Sequence, residues 1–401
     1  MLVGIVGKPS SGKSTFMNAA CLTTYKTADY PFTTIDPNPG VAYVRKECVC
    51  KELGVKDHPR NSLCVNGVRL IPINLLDVAG LVPDAWKGRG LGNKFLDDLR
   101  RADAFIHVVD ASGSLDAEGK PVEQGSRNPI DDVVFLDREI NMWLTQIIKR
   151  DWGRLARRVE AEKTPFAETL ADRLSGLSIT RTQILQAARK TKLNLEKPSK
   201  WSDDDLYEFA DMLRRIAKPT LVAANKMDRP AAEEGLKQLK DIEYPIVPTC
   251  SLAEYHLRKL AEGGIVKYRP GDHSFETIAM DKLPEKDRTV LERIKSNIFG
   301  KYESTGVQEA IDKTVFELLE LIVVYPVEDA AKFCDHEQKV LPDSLLVPKG
   351  TNARELAYKI HTDLGETFIH AIDARTKQRL SENYELKDGD VIKIVSAKAL
   401  K

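Results

Sequence analysis

The sequence predicts an α/β fold: a doubly wound parallel sheet with an inserted helical domain, followed by an α+β module at the C-terminal end. Three observations support this prediction. The apolar run Leu2–Val6 leads directly into Gly7–Ser14, which matches the phosphate-binding pattern G-x-x-x-x-G-K-[ST]. Two further apolar strands, Phe105–Asp110 and Thr220–Ala224, lie much farther apart than the ~30 residues of a βαβ unit, so a segment is inserted between them. From Ile322 onward, short strand patterns surround a single helix.

Length and composition set the class of protein. A chain of 401 residues has room for two or three domains, each with its own core. Lys+Arg and Asp+Glu both number 60, so no overall charge draws the chain to nucleic acid or to a membrane, and any basic surface must be local. Six cysteines are too few for a disulfide framework, and no run approaches the ~20 apolar residues of a membrane span. We expect a cytoplasmic protein without a membrane partner.

The Gly7–Ser14 segment predicts a polyphosphate site. A loop of this kind meets negative charge with converging backbone N–H groups, the N-terminus of the following helix and one lysine. We assign phosphate binding to Lys13 and its neighbours, and a Mg²⁺-ligating hydroxyl to Ser14. The full set of predicted phosphate-loop residues is Gly7, Lys8, Ser10, Ser11, Gly12, Lys13, Ser14 and Thr15.

A second motif follows the strand Val68–Leu76. Asp77 and Gly80 form the D-x-x-G arrangement of nucleotide triphosphatases, in which the carboxylate holds Mg²⁺ through a water and the glycine N–H meets the γ-phosphate. Leu81 stands where Ras-type enzymes place the glutamine that orients water. Because leucine cannot orient water, we expect slow intrinsic hydrolysis, on the order of 10⁻⁴–10⁻² s⁻¹.

Between these motifs lies the proline- and glycine-rich stretch Tyr30–Gly40. Its adjacent Thr33 and Thr34 could offer a hydroxyl and an amide to a metal and a terminal phosphate. An ordinary turn-rich connector explains the same composition.

The strand Thr220–Ala224 runs into Asn225-Lys226-Met227-Asp228, the N-K-x-D pattern that reads guanine. Asp228 can accept hydrogen bonds from both N1–H and the exocyclic amine of guanine, whereas adenine offers neither donor there. Two charge-assisted bonds of this kind contribute about 3–6 kcal/mol, which favours GTP over ATP. Cys250 and Ser251 occupy the position of a loop that backs the base.

The insertion is helical and basic. Apolar residues recur at helical spacing from Leu136 to Val159, and Thr180–Gln183 and Ser202–Asp205 look like capping boxes. Between residues 139 and 200, thirteen Lys/Arg oppose seven Asp/Glu. Such a face could meet RNA phosphates, or it could simply be solvated.

These patterns divide the chain into three parts. We predict a phosphate-loop domain over residues 1–138 and 206–320, a helical insertion over 139–205, and a C-terminal module over 321–401. In the module, one helix spans Asn352–Thr362, with Thr351 as its N-cap and Gly365 just past its end.

Two further features have competing interpretations. Cys48, Cys50, His58 and Cys64 form a C-x-C-x7-H-x5-C set that could hold a tetrahedral zinc. The spacing is not that of a standard C-x2-C knuckle, so scattered free cysteines are the alternative. His107, within an apolar strand, is interpreted as a packed core residue rather than a catalyst.

The quoted segments resemble the Obg-related branch of GTPases. Tyr-Pro-Phe-Thr-Thr from Tyr30, followed by Pro-Asn-Pro-Gly40, resembles its first switch. Asp-Val-Ala-Gly-Leu from Asp77, with the glycine-rich run from Gly88 to Arg100, resembles its second. Leu346–Gly350, Lys359–Gly365 and Leu386–Asp390 resemble a TGS domain, a β-grasp module. Together these segments are similar to the YchF-like subfamily of archaea and eukaryotes.

The resemblance implies roles for particular residues. It implies that Thr34 is the metal-sensing threonine, so that Ser14, Thr34 and Asp77 serve the metal while Lys13, Thr34 and Gly80 support catalysis. It also implies a hydrophobic residue in place of the catalytic glutamine, as Leu81 is here, with slow turnover and work on ribosomes or structured RNA through the helical insert and the TGS-like domain.

The chain departs from its relatives at two points. YchF proper has a degenerate base motif and prefers ATP, whereas Asn225–Asp228 is intact here. Several potassium-activated relatives carry asparagine where this chain has Ser10. Two alternatives to a slow GTPase therefore stay open: a YchF-type ATPase, and a nucleotide-gated protein-docking module with little turnover.

Overall fold

A computed structural model describes residues 1–21, 39–78, 98–279 and 283–397. By contacts the chain divides into two compact units. The first contains the described residues of 1–24, 36–41 and 74–310, and the second contains those of 42–73 and 311–401. None of the described helices combines the length and apolar character needed to cross a membrane.

The strands are numbered in chain order. They are β1 Leu2–Val6, β2 Pro39–Glu47, β3 Leu63–Val65, β4 Val68–Asp77, β5 Ala104–Asp110, β6 Thr220–Asn225, β7 Ile246–Pro248, β8 Val266–Lys267, β9 Glu276–Thr277, β10 Leu321–Val327, β11 Leu345–Pro348, β12 Phe368–Asp373, β13 Arg379–Leu380 and β14 Val391–Ser396.

The α-helices of at least five residues are numbered in the same way. They are α1 Lys13–Cys21, α2 Val49–Leu53, α3 Ile130–Lys149, α4 Trp152–Glu162, α5 Phe166–Leu174, α6 Arg181–Thr191, α7 Asp203–Ala217, α8 Ala232–Leu239, α9 Ser251–Glu262, α10 Glu285–Arg293, α11 Val307–Lys313, α12 Ala353–Ile360 and α13 Thr362–Glu366.

The first unit is built on parallel strands. The end of β4 pairs with β1, which pairs with β5, then β6, then β7. Every residue of β5 and β6 is buried, because helices cover both faces of such a sheet. In register, Ile5 lies opposite Asp77, and Asp110 lies opposite Asn225. The carboxyl ends of these strands therefore meet at one edge, where ligands bind in open α/β sheets.

The helical insertion shares its core with this sheet. One cluster of buried apolar side chains runs from Val6 and Phe105 on the strands through Leu136, Ile148 and Phe209 on the helices. The helical block begins at Ile130 and ends at Ala217, so it is longer than the predicted 139–205 and belongs to the first unit. The apolar spacing located the helices correctly, but it could not reveal that their core is continuous with the sheet.

Both predicted capping boxes are confirmed. The Thr180 hydroxyl accepts a hydrogen bond from the backbone N–H of Gln183, and the Gln183 side chain accepts one from Thr180 N–H. Ser202 and Asp205 make the same reciprocal pair at the start of α7.

The second unit holds a mixed sheet in the order β11-β10-β14-β12-β13, with α12 packed against it. Strands β10, β11, β12 and β14 match, within one residue at each end, the apolar runs that predict strands, whereas the two-residue β13 was not predicted. Those runs are Ile322–Val327, Leu345–Val347, Phe368–Asp373 and Val391–Val395. A parallel β10–β14 pair beside antiparallel neighbours fits the predicted α+β module.

Two details of the predicted C-terminal helix are wrong. Asn352, not Thr351, is the N-cap. Its side chain accepts a hydrogen bond from Glu355 N–H, and the Glu355 carboxylate accepts one from Asn352 N–H. Gly365 does not follow the helix end but lies buried within the short helix α13, where a Cβ would come within 2.2 Å of the Tyr358 ring. The close helix–helix approach, rather than a C-cap, explains this glycine.

Residues 42–73 also differ from the predicted domain division. They group with the C-terminal module and not with the phosphate-loop domain. Backbone hydrogen bonds explain the grouping: His58 N–H donates to Val340 O at 2.8 Å, and Arg60 N–H donates to Pro342 O at 2.7 Å. Contacts so distant in sequence leave no periodic pattern.

Candidate nucleotide site

The Gly7–Ser14 segment forms a tight loop between β1 and α1. Gly7 and Gly12 have φ values of 143° and 106°, which side chains rarely adopt. A Cβ on Gly7 would lie 2.4 Å from Val108 O, and a Cβ on Gly12 would lie 2.2 Å from Asn225 Nδ2. The loop can therefore approach its neighbours only because both residues are glycine.

Lys13 and Ser14, the first two residues of α1, contact the phosphate loop and Asp77 respectively. Lys13 is buried, and its Nζ donates to Lys8 O at 2.9 Å. Burial lowers the pKa of Lys13, although the Asp77 carboxylate works to raise it. The Ser14 hydroxyl donates to Asp77 Oδ2 at 3.2 Å, so two of the three predicted metal residues are in direct contact. A hydroxyl and a carboxylate in contact are the oxygen donors that Mg²⁺ prefers.

Asn225 joins the phosphate loop to the start of α9. Its Nδ2 donates to Ser11 O at 3.0 Å. Its Oδ1 accepts from the backbone N–H of Ser251 at 3.1 Å and from the Ser251 hydroxyl at 3.0 Å. One buried amide thus joins the loop at Ser11, 214 residues away in sequence, to the start of α9, 26 residues away.

Lys226 is held by an acid that the sequence analysis did not single out. Its Nζ forms an ion pair with Asp110 Oδ2 at 2.9 Å. Burial works to raise the pKa of Asp110, but hydrogen bonds from Ser112, Lys226 and Ser114 leave it below its usual value. Asp110 therefore stays ionised and orients Lys226. A carboxylate at the end of a strand next to the motif's strand was the signal that could have identified it.

The side chain of Lys8 forms its contacts outside the phosphate loop. Its buried Nζ donates to Asp132 Oδ1 at 2.8 Å and to Leu115 O at 3.1 Å. The ammonium is therefore engaged by the start of α3 and by the loop after β5. Only the backbone of Lys8 remains on the loop side, where its carbonyl accepts from Lys13.

A cavity of about 430 Å³ adjoins both motifs. Its lining residues come from the phosphate loop, the loop after β5, the N-K-x-D motif and the start of α9: Ser10, Gly12, Thr15, Ser114, Leu115, Pro121, Val122, Gln124, Asn225, Lys226, Asp228, Arg229, Ser251 and Leu252. Asp228 is exposed at this cavity, as a carboxylate that accepts donors from a ligand must be.

Cys250 contacts the Asp228 carboxylate. Its Sγ lies 3.3 Å from Asp228 Oδ1, in position to donate. Burial is the main cause that raises the pKa of the Cys250 thiol, so the sulfur keeps its proton and does not repel the carboxylate. Of the two residues predicted to back the base, Cys250 thus contacts Asp228 and Ser251 donates to Asn225.

Two exposed apolar side chains at the cavity were not predicted as site residues. Val122 and Leu252 are 38% and 61% exposed, respectively. Large apolar side chains exposed at a pocket are candidates for contact with a flat, weakly polar ligand. Val122 lies in the loop after β5, whose sequence carries no motif.

Three predicted residues, Thr34, Gly80 and Leu81, lie outside the described residues, as does most of the Tyr30–Gly40 stretch. Among the described ones, the structure brings together Gly7, Gly12, Lys13, Ser14, Asp77, Asn225, Lys226 and Asp228.

Three family models match the chain. One described as a 50S ribosome-binding GTPase covers residues 2–143. A model described as the G4 motif-containing domain of Obg-like GTPase YGR210-like proteins covers residues 223–329, and a TGS domain model covers residues 336–396.

Similar proteins cover the chain almost completely. An uncharacterized GTP-binding protein of Methanocaldococcus jannaschii is 51% identical over 99% of both chains, and one of Schizosaccharomyces pombe is 39% identical over 90% of both. The ribosome-binding ATPase YchF of Bacillus subtilis is 26% identical over 98% of both chains. The crystal structure of a GTP-binding protein from Pyrococcus horikoshii superposes with a TM-score of 0.80, at 39% identity over 99% of this chain and 100% of that one.

Proposed function

The chain belongs to the YchF-like Obg family of GTPases, and from this we propose that it is a guanine-nucleotide switch that hydrolyses GTP slowly. One observation carries the proposal: a single cavity is lined by both the phosphate loop and the intact Asn225–Asp228 motif. An exposed carboxylate at one end and a glycine-built phosphate loop at the other suit the two ends of GTP.

Each residue then has a defined task. Lys13 would hold the β- and γ-phosphates, and Ser14, Thr34 and Asp77 would hold Mg²⁺. Bound Mg²⁺ would offset charge on the phosphate oxygens. Asp228 would accept the two guanine donors, while Val122 and Leu252 pack against the base. Gly80 would sense the γ-phosphate, and Leu81 would leave the attacking water without an orienting side chain.

Competition between nucleotides separates this proposal from an ATPase. Relatives named ribosome-binding ATPase YchF share most of the chain at 26% identity, so ATP is the relevant rival ligand. We expect labelled GTP on the purified protein to be displaced by GDP but not by a hundred-fold excess of ATP. Equal displacement by ATP would contradict guanine recognition.

Turnover provides the second test. Without a glutamine or an arginine finger, intrinsic hydrolysis should stay on the order of 10⁻⁴–10⁻² s⁻¹. A rate faster than ~1 s⁻¹ without a partner would show that another group replaces the glutamine, and that our assignment of Leu81 is wrong.

The switch is proposed to act on ribosomes or structured RNA. The matching family model is described as a 50S ribosome-binding GTPase, and the YchF relatives are named ribosome-binding. In the insertion, twelve of the thirteen Lys/Arg between residues 139 and 200 are exposed. Eight of these basic residues make no ion pair with a described acid: Arg150, Arg157, Lys163, Arg189, Lys190, Lys192, Lys197 and Lys200.

Co-sedimentation with ribosomes tests this part. We expect retention with a non-hydrolysable GTP analogue, release with GDP, and weaker binding as salt rises. Binding that ignores both nucleotide and salt would favour the protein-docking alternative instead.

A further inference from the structure

The excursion between β2 and β4 collects three sulfur atoms and a carboxylate. Cys48 directly follows β2, Cys50 lies in the short helix α2, Asp57 lies in the next loop, and Cys64 lies in β3. Their ligand atoms all lie within 4.8 Å of one another, and this is the one such group among the described residues. His58, which the sequence pattern favoured as the fourth ligand, is exposed and is not part of the cluster.

Local backbone structure brings these residues together. Asn66 and Gly67, with φ values of 52° and 72°, form the tight turn that folds β3 onto β4. The backbone N–H of Cys48 donates to Gly67 O at 2.9 Å, which places the start of α2 beside that turn. Cys48, the N-cap of α2, and Cys50 within it therefore lie close to Cys64 of β3.

Two of the six separations match the edges of a zinc tetrahedron, and all six are within 4.8 Å. Zn–S bonds of about 2.3 Å at tetrahedral angles place two sulfur atoms about 3.8 Å apart, and a sulfur and a carboxylate oxygen about 3.5 Å apart. The Sγ atoms of Cys50 and Cys64 are 3.8 Å apart, and Cys48 Sγ is 3.4 Å from Asp57 Oδ2. A disulfide needs about 2.05 Å between sulfur atoms, so Cys50 and Cys64 are free thiols at a separation that a shared zinc ion would allow.

A buried cation lies beside the cluster. Arg69 is fully buried, pairs with Cys64 across the β3–β4 hairpin, and has Nη1 3.3 Å from Asp57 Oδ2. Its Nη2 donates to Leu341 O at 2.6 Å, but Nε and Nη1 have no hydrogen-bond acceptor among the described atoms. A single carboxylate offsets only part of the free energy that it costs to remove a guanidinium from water.

We propose that Cys48, Cys50, Cys64 and Asp57 bind one Zn²⁺ in a closed structural site. Three thiolates and a carboxylate give the zinc centre a formal charge of −2, which the Arg69 guanidinium partly offsets. Thiolates select zinc over Mg²⁺ or Ca²⁺, and four protein ligands leave no open position for catalysis.

The site would stabilise the second unit. The loop that carries Asp57 continues into residues 58–62, which bond to residues 340–344; Asn61 Nδ2, for example, donates to Ser344 O at 3.0 Å. Fixing this loop through zinc would fix the segment that joins it to the C-terminal module, because metal binding of this kind is coupled to folding.

Metal analysis of the full-length, reduced protein tests the proposal. We expect about one zinc per chain by mass spectrometry after expression with zinc and extensive dialysis. Cys64→Ser should lose it, whereas Cys334→Ala, a buried cysteine of the same unit outside the cluster, should retain it. Cobalt added to the metal-free protein should give the intense thiolate-to-cobalt absorption of a tetrahedral site.

Two further measurements keep the test decisive if Cys64→Ser does not fold. Cobalt binding to the unmutated protein needs no variant, and Asp57→Asn, which keeps all three thiols, should weaken zinc binding by about ten-fold or more. Less than a tenth of a zinc per chain, with reduced thiols and no cobalt absorption, would overturn the proposal. A Cys50–Cys64 disulfide in the protein as isolated would overturn it too.

Discussion

At the residue scale, neighbouring strand ends decide what each side chain can do. One motif identified Asn225, Lys226 and Asp228 in the sequence, but Asp110, which forms an ion pair with Lys226 from the adjacent strand, was not singled out. The sequence pattern placed His58 in the cysteine set, whereas the structure places Asp57 there, because loop conformation decides which of two adjacent residues faces the cluster. Motifs specify residue types, whereas strand register and loop geometry specify partners.

The structure confirms that His107 is a core residue, and its burial makes the free energy of unfolding depend on pH. It is 2% exposed in β5, and burial, reinforced by Lys13 and Lys8, lowers its pKa from 6.5 to about 3. The folded state therefore keeps His107 neutral at pH values where the unfolded chain binds a proton. The contribution of His107 to the free energy of unfolding is nearly constant above pH 6.5. It falls as pH drops below that value, by up to about 1.4 kcal/mol per pH unit until about pH 3.

Replacing His107 should remove this dependence. Between pH 7.5 and 5.5 we expect the wild type to lose about 1.4 kcal/mol more unfolding free energy than His107→Leu. Urea titration followed by tryptophan fluorescence measures it, since all four tryptophans lie in the sequence ranges of the first unit. Parallel losses in the two proteins would mean that His107 does not titrate on unfolding.

At the element scale, patterns of a few neighbouring residues correctly predicted the strands and helix starts that depend on those residues. Strand runs and capping boxes were confirmed because they depend on neighbours a few residues apart. The helix α2, the ribbon of β8 and β9, and the two-residue β13 were not predicted, since such short elements depend on tertiary contacts. The extent of the insertion was underestimated because its outer helices pack on the sheet.

The capping box of α7 should contribute measurably to stability. Ser202→Ala removes the hydroxyl that accepts from Asp205 N–H, so the free energy of unfolding should fall by about 1 kcal/mol. Ser296→Ala, an exposed serine outside any N-cap, should cause little loss. Equal effects of the two substitutions in urea titrations would show that the cap contributes nothing specific.

At the scale of the whole molecule, net charge conceals local charge. The chain is neutral overall, with 60 basic and 60 acidic residues, yet the insertion between residues 139 and 200 has an excess of six basic ones, thirteen against seven. In the structure, Arg189 and Lys190 lie in the last turn of α6 and are exposed. Lys192 is the first residue after this helix and is exposed too. A basic helix end of this kind is suited to phosphate contacts.

Neutralising that cluster should weaken RNA binding in a salt-dependent way. Each lost phosphate contact lowers the slope of log affinity against log salt by about 0.7 on single strands, so a triple change to Gln at Arg189, Lys190 and Lys192 should lower it by about 2. The matched control changes three exposed basic residues elsewhere, Lys286, Arg293 and Lys295, to Gln. Identical slopes for both triple variants would assign RNA contacts to another surface.

The identity of the nucleotide is the central claim, and changing the base-reading carboxylate tests it most directly. In Asp228→Asn an amide replaces the acceptor that guanine requires, so affinity for GTP should fall at least a hundred-fold, while xanthosine triphosphate, which presents an acceptor there, binds more tightly than GTP. Asp241→Asn, an exposed acid of the same unit, should leave both affinities unchanged. Unaltered preference for GTP in Asp228→Asn would contradict the account.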